Sequence, residues 1–166
     1  MNSLCTISEN VGYRGYITIE LRNKGNTVKR SVVHNGGTPF LLTSIAKALC
    51  GNSISEAIPS KIDWWCTSGT NLQVIHDPIT VSGLKYTSAT DTSPALIETQ
   101  VLIKTNDVAT NFNNLNTQFQ LKSKSGDTLA TVDLTQTTSS SVYTDIVTQG
   151  YDCLIKWTLE ISNITQ

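Results

Sequence analysis

The chain has 166 residues and a formal net charge of −1. This is the length of one ordinary domain, whose core is large enough to fold without a metal or a disulfide. The scattered, nearly balanced charge argues against a nucleic-acid partner and against an anionic membrane surface. No apolar run approaches the roughly 18 residues that a membrane span needs, and the N-terminal sequence lacks the pattern of a secretory signal.

The first predicted element is a β-hairpin over residues 15–34. An alternating β-branched run reaches Leu21, Asn23-Lys-Gly-Asn26 supplies the turn, and a second run returns to His34. The sequence His34-Asn-Gly-Gly37 then predicts a turn.

A helix is predicted over residues 39–50. Thr38-Pro39 is typical of a helix start, apolar residues follow at spacings of three and four, and Gly51 stands where a helix commonly ends. We expect this helix to pack across a sheet or to close one end of the fold.

The remaining strands are predicted within residues 61–161, joined by turns rich in Asn, Asp, Ser, Gly and Pro. The candidate strands are 61–67, 74–75, 84–89, 96–105, 118–122, 128–134, 142–147 and 153–161. The pattern predicts an all-β fold in a single domain, residues 1–166, with one short α-helix near the N-terminus. We expect a β-sandwich of jelly-roll-like or immunoglobulin-like type.

Reactive side chains are few and dispersed. The two histidines, His34 and His76, lie in predicted loop sequence and are expected to be structural. No C-x-x-C pair occurs among the cysteines, which we expect to be free buried thiols: Cys5, Cys50, Cys66 and Cys153. A calcium site built from distant loops stays open as an alternative, but we predict no enzyme, no cofactor and no metal site.

Aromatic residues give the candidate contact positions. Trp64 and Trp65 are adjacent on a predicted strand and must point to opposite faces. One can enter the core, while the other meets solvent, the helix or another subunit. The Asn-rich stretch around Phe112 and Asn113 is either an ordinary connector or a contact loop. Trp64, Trp65, Phe112 and Asn113 are therefore the candidate protein-interface residues, whereas Trp157 is expected in the core.

One segment carries a more specific resemblance. The residues Val33-His-Asn-Gly-Gly-Thr38 and Ile45-Ala46-x-Ala48-Leu49-x-Gly51, with Leu42 between them, follow the predicted hairpin and precede Pro59-x-x-Ile62. This pattern resembles small structural proteins of tailed bacteriophages, including those of crAss-like gut phages. The turn Ser125-Gly126 and a closing strand over residues 155–159 fit the same pattern. Where many relatives carry Glu-x-Gly-Leu, this chain has Gln118-Phe-Gln-Leu-Lys122 without a glycine.

The resemblance implies a virion component assembled in the host bacterial cytoplasm, of auxiliary capsid, head-fibre or tail-associated type. Its partners would be other virion proteins, such as the major capsid protein, and further copies of this chain in a homo-oligomer, with neither nucleic acid nor membrane. Composition agrees, because only 15% of residues are charged and a surface of neutral polar side chains costs less to desolvate against a neighbour. The alternative is a carbohydrate-binding β-sandwich module with one exposed tryptophan.

Overall fold

The computed structural model describes residues 11–53, 55, 58–68, 71–108, 116–134 and 136–163. Within these ranges the chain forms nine strands and two α-helices, with a short 3₁₀ turn at Thr105–Asp107. In chain order the elements are β1 (Val11–Asn23), β2 (Asn26–Gly37), α1 (Pro39–Leu49), β3 (Pro59–Ser68), β4 (Asn71–Thr80), β5 (Ser82–Thr87), β6 (Ala95–Ile103), β7 (Asn116–Ser123), β8 (Thr128–Leu134), α2 (Gln136–Gln149) and β9 (Asp152–Asn163).

The strands form two antiparallel sheets. Sheet A has the order β2-β1-β9-β6-β5, and sheet B has the order β4-β3-β7-β8. Successive hairpins alternate between the sheets: β1-β2 lies in sheet A, β3-β4 in sheet B, β5-β6 in sheet A and β7-β8 in sheet B. The last strand, β9, then inserts between β1 and β6. The predicted predominance of β structure is confirmed.

Strand β2 belongs to both sheets. Its first part pairs with β1, while Gly36 lies opposite Thr131 and Gly37 opposite Ala130 on β8. The turn predicted at His34-Asn-Gly-Gly37 is therefore wrong, because the two glycines continue the strand as it crosses to sheet B. His34 is an exposed strand residue whose ring meets that of Tyr16 edge-on, with centroids 6.2 Å apart.

One apolar core joins the two sheets. The alternation of each strand turns one set of side chains inward, and both sheets contribute to the same cluster. Ile17 and Ile155 from sheet A and Phe119 from sheet B are fully buried. Trp157 is 1% exposed, which confirms its predicted place in the core.

Helix α1 begins and ends as its sequence indicates. The hydroxyl of Thr38 accepts a hydrogen bond from the backbone N–H of Leu41, and Pro39 occupies the first turn. Gly51 follows the helix at a φ of +74°, a conformation that favours glycine. The backbone N–H of Thr38 also donates to the carbonyl of Leu129, at 3.1 Å. This bond holds the start of α1 beside the first residues of β8, where Leu41 packs against the core.

Helix α2 corrects the strand predicted at residues 142–147. It follows directly after β8, so the two helices lie at opposite ends of that strand. Val142, Tyr143 and Ile146 are buried, whereas Thr144 is exposed, which is the spacing of a helix face and not of a strand. The β-branched and Ser/Thr-rich sequence has low helix propensity, and burial of this face outweighs it.

Candidate contact surfaces

The adjacent tryptophans of β3 point to opposite faces, as predicted. Trp64 is 1% exposed and its ring stacks on Phe119 with centroids 5.0 Å apart. This places Trp64 in the core and leaves Trp65, which is half-buried on the outer side of sheet B, as the one of the pair that can meet a partner. Phe112 and Asn113 lie outside the described residues.

On the outer side of sheet B, the described residues of β3, β7 and β8 are polar apart from Trp65, and β4 flanks Trp65 on its other side with Val74 in register. On this side Trp65 lies opposite Gln118, and Asp63 lies opposite Gln120. Gln118 in turn faces Asp133 on β8. We name this surface the Trp65 face and define it by eight residues from β3, β7 and β8: Lys61, Asp63, Trp65, Gln118, Gln120, Lys122, Thr131 and Asp133.

Hydrogen bonds link the two glutamines of the Trp65 face to each other and to Asp133. The Gln120 amide donates to Oε1 of Gln118, and Nε2 of Gln118 donates to Oδ1 of Asp133 at 2.7 Å. Nζ of Lys122 donates to the hydroxyl of Thr128, also at 2.7 Å. The lysines and aspartates of the face balance, two against two, so the surface has no net formal charge.

Two polar atoms of the Trp65 face are buried without a hydrogen-bond partner. They are Oδ1 of Asp63, a residue that is 5% exposed, and Nε1 of Trp65. Leaving a buried polar group unpaired costs roughly 1–3 kcal/mol, and native proteins pair most such groups. The indole nitrogens of Trp64 and Trp157 are also unpaired, but those rings lie in the core. Nε of Arg22 on the outer side of sheet A is unpaired as well. Among the described residues of sheet B, Asp63 and Trp65 are the two that combine an unpaired polar atom with a place on the outer face.

A second surface lies at the end of sheet A, on strand β5. Tyr86 lies opposite Ile97, whose side chain packs against the core, so Tyr86 extends the core side of the sheet. Yet Tyr86 is 71% exposed, and Leu84, two residues earlier, is 43% exposed. We call these two side chains the β5 margin. The core side of sheet A therefore runs beyond the area that sheet B covers.

Both end strands are irregular. The pairing of β5 with β6 shifts register between Ser82 and Lys85, and the pairing of β4 with β3 shifts twice. Strand β4 also contains Pro78, which cannot donate to a neighbouring strand. Bulges and proline are devices that discourage edge-to-edge pairing. A partner would thus meet the faces of the sheets more readily than it would extend them.

An ion triad lies on the outer side of sheet A. The Glu20 carboxylate accepts from Nζ of Lys156 at 2.8 Å and from Nη2 of Arg22 at 2.7 Å. The hydrogen bond from Lys156, together with that from Arg22, outweighs the effect of burial and lowers the pKa of Glu20 to about 2. Both oxygens of the carboxylate are paired with a cation, so this cluster stabilises the sheet, although Nε of Arg22 has no partner within the described ranges.

Beside Lys156, an open depression lies between β5 and β6. Its lining includes Ser82, Lys85, Glu98 and Gln100. Lys85 and Glu98 lie opposite each other in register, but no ion pair joins them. The depression is polar and carries charges of both signs.

The groups that could support catalysis or metal binding do not converge in the described part of the chain. No cluster of three or more His, Cys, Asp and Glu residues is positioned there to hold a metal, and none of its helices is long and apolar enough to cross a membrane. Burial raises the pKa of the Cys153 thiol, with a smaller contribution from Asp152. Cys50 is a free but exposed thiol, so its predicted burial is wrong. The Cys66 and His76 side chains and all of Cys5 lie outside the description.

The chain matches no protein-family model, no curated protein and no solved structure.

Proposed function

We propose that the protein is a non-enzymatic structural component of a bacteriophage particle, acting by self-assembly and by docking on neighbouring virion subunits. The two sheets would form a β-sandwich of jelly-roll-like or immunoglobulin-like type. The observation that carries the assembly proposal is the β5 margin, where Tyr86 continues the core side of sheet A and both Tyr86 and Leu84 are exposed.

Exposed apolar side chains concentrate on sheet A. Of the seven large hydrophobic residues that are exposed in the described ranges, two lie on β2, two on β5 and one on β6. They are Val28, Val32, Leu84, Tyr86 and Leu102. Tyrosine is enriched at interfaces because its ring offers a large contact area at a low cost in side-chain entropy. A second copy of the chain packed on the β5 margin would remove Tyr86 and Leu84 from water.

The charge of strand β5 favours such a contact. Lys85 is the only ionisable residue among Ser82–Thr87 apart from the phenol of Tyr86. Desolvating this strand against a neighbour therefore requires the burial of little charge. Because the strand edge is bulged, the side chains of the margin, and not its backbone, would supply the contact.

Sedimentation velocity over a range of protein concentrations tests this proposal. We expect the natural chain to self-associate, and Tyr86→Ser and Leu84→Ser to weaken association roughly tenfold or more, as expected for interface anchors. Leu42→Ser is the matched control, because Leu42 is 53% exposed but lies on α1. A natural chain that stays monomeric, or a control that weakens association equally, would contradict the proposal.

Quantitative mass spectrometry of purified phage particles tests the location. A copy number near that of the major capsid protein would support a decoration role over the head. A small fixed number would support a vertex or tail position. Absence of the chain from the particles would refute the virion assignment.

A further inference from the structure

We propose that the Trp65 face is a binding site for a neutral saccharide. This function goes beyond particle assembly, and it uses the opposite sheet from the β5 margin. It rests on three features of the outer side of sheet B: a half-buried indole, a row of side-chain amides, and a carboxylate with an unpaired oxygen.

The indole supplies the apolar part of the site. Trp65 is the large aromatic residue of the face. Gln118 on β7 and Val74 on β4 lie opposite it, and Asp63 lies two residues away on the same strand. The faces of sugar rings carry C–H groups, which pack against the electron-rich face of an indole. An aromatic platform with polar groups along its β7 side suits a ligand that is itself apolar on one side and hydroxylated at its rim.

The amides and the carboxylate supply the hydrogen bonds. A sugar hydroxyl both donates and accepts, so it pairs with groups of either kind. Gln118 and Gln120 offer both kinds through their amides, and their bonds to each other and to Asp133 hold them in a row. Asp63, opposite Gln120, has an Oδ1 atom with no donor. Rotation of the Gln120 side chain would admit a ligand hydroxyl to that atom.

The charge of the face selects among ligands. Lys61 and Lys122 balance Asp63 and Asp133, so the surface neither attracts nor repels a charged ligand as a whole. A phosphorylated or nucleic-acid ligand would need a cationic surface. A neutral ligand rich in hydroxyls fits the balanced charges and the alternating donors and acceptors.

An array of neutral and acidic oligosaccharides tests the site, followed by isothermal titration calorimetry with the neutral cello-, malto-, xylo- and chito-oligosaccharides. We expect at least one neutral series to bind the natural chain. Trp65→Ala should weaken that binding by roughly thirtyfold or more, the loss expected for a central aromatic contact, and Trp65→Phe should retain part of it. Gln120→Ala should also weaken binding and provides a second test if Trp65→Ala does not fold.

Gln100→Ala is the matched control, since Gln100 is an exposed glutamine on the outer side of sheet A, and it should leave the affinity unchanged. The proposal would be overturned if none of the neutral saccharides bound, or if only acidic saccharides bound. It would also be overturned if the Trp65→Ala and Gln120→Ala variants both bound as tightly as the natural chain. A loss of self-association in Trp65→Ala without any saccharide binding would overturn it too, because the face would then be a protein contact. Tyr86→Ser should keep saccharide binding, so this site and the assembly surface can fail independently.

Discussion

Trp64 and Phe119 lie directly opposite each other on β3 and β7, and their rings stack with planes 24° apart. The ring of Tyr143 on α2 contacts the same indole edge-on, and the centroids of these two rings are 6.4 Å apart. The three rings connect sheet B to the helix that follows it. The neighbouring residue on β3, Trp65, takes no part in this cluster.

Substitution of the two tryptophans should therefore have unequal effects. We expect Trp64→Ala to lower the free energy of unfolding by about 3–5 kcal/mol, because it leaves a large cavity between sheet B and α2. Trp65→Ala should cost less than about 2 kcal/mol, since its ring is only half-buried. Urea denaturation followed by far-UV circular dichroism measures both. Equal losses would contradict the assigned register of β3.

The Glu20 triad predicts a specific loss of stability in acid. The pKa of Glu20 is about 2 in the folded chain, below the ordinary 4.5, so its contribution is present above about pH 4.5 and is lost as the pH falls towards 2. Because Lys156 and Arg22 are partly exposed, we expect Glu20→Gln to cost only about 1–2 kcal/mol at neutral pH.

The matched control is Glu160→Gln, because Glu160 lies on β9 and forms no ion pair within the described residues. Urea midpoints should show the gap between the natural chain and Glu20→Gln closing as the pH falls through that window. A gap that is independent of pH would contradict the role of the carboxylate charge.

Helix α2 predicts which side chains of residues 142–147 tolerate substitution. Ile146→Ala should cost about 2–5 kcal/mol because Ile146 is fully buried. Thr144→Ala should be neutral or stabilise by a few tenths of a kcal/mol, since Thr144 is exposed and alanine favours the helix. In a strand these two residues would share a face, so comparable losses in thermal unfolding would contradict the helix.

The thiols should differ sharply in reactivity. Cys153 is fully buried and its pKa is raised by burial, whereas Cys50 is exposed. At neutral pH we expect a maleimide to label Cys50 in the folded chain, and Cys153 only after unfolding. Mass spectrometry of the digested protein reads each cysteine separately. Rapid labelling of Cys153 under native conditions would show that sheet A opens readily near β9.

Local sequence identified the elements whose own residues determine them. Strand β8 has the predicted bounds at Thr128 and Leu134, and α1 carries its own N-cap at Thr38 and its glycine at Gly51. The opposite directions of Trp64 and Trp65 follow from strand geometry alone.

The errors arose where distant residues decide the structure. The segment containing α2 has residues that favour strands, and only the fit of Val142, Tyr143 and Ile146 against the core makes it helical. The available signal in the sequence was that Tyr143 follows Val142 by one residue and Ile146 follows it by four. Gly36 and Gly37 read locally as a turn, but their partners are Thr131 and Ala130, far along the chain. On the Trp65 face, the sequence indicated one outward tryptophan. The row formed by Asp63, Gln118 and Gln120 depends on the register between β3 and β7, which the sequence does not display.

The position of β9 bears on how the protein folds. This strand comes after every other described strand, yet it occupies the middle of sheet A, between β1 and β6. During synthesis the β1-β2 and β5-β6 hairpins can form early. Until β9 is made, however, each hairpin keeps an exposed apolar side, and the edges of β1 and β6 that pair with β9 stay open. Pairings over such long sequence separations are slow to form, and open edges invite association with other chains. Truncation before Asp152 would therefore yield two unjoined hairpins and a chain prone to aggregate, not a smaller stable domain.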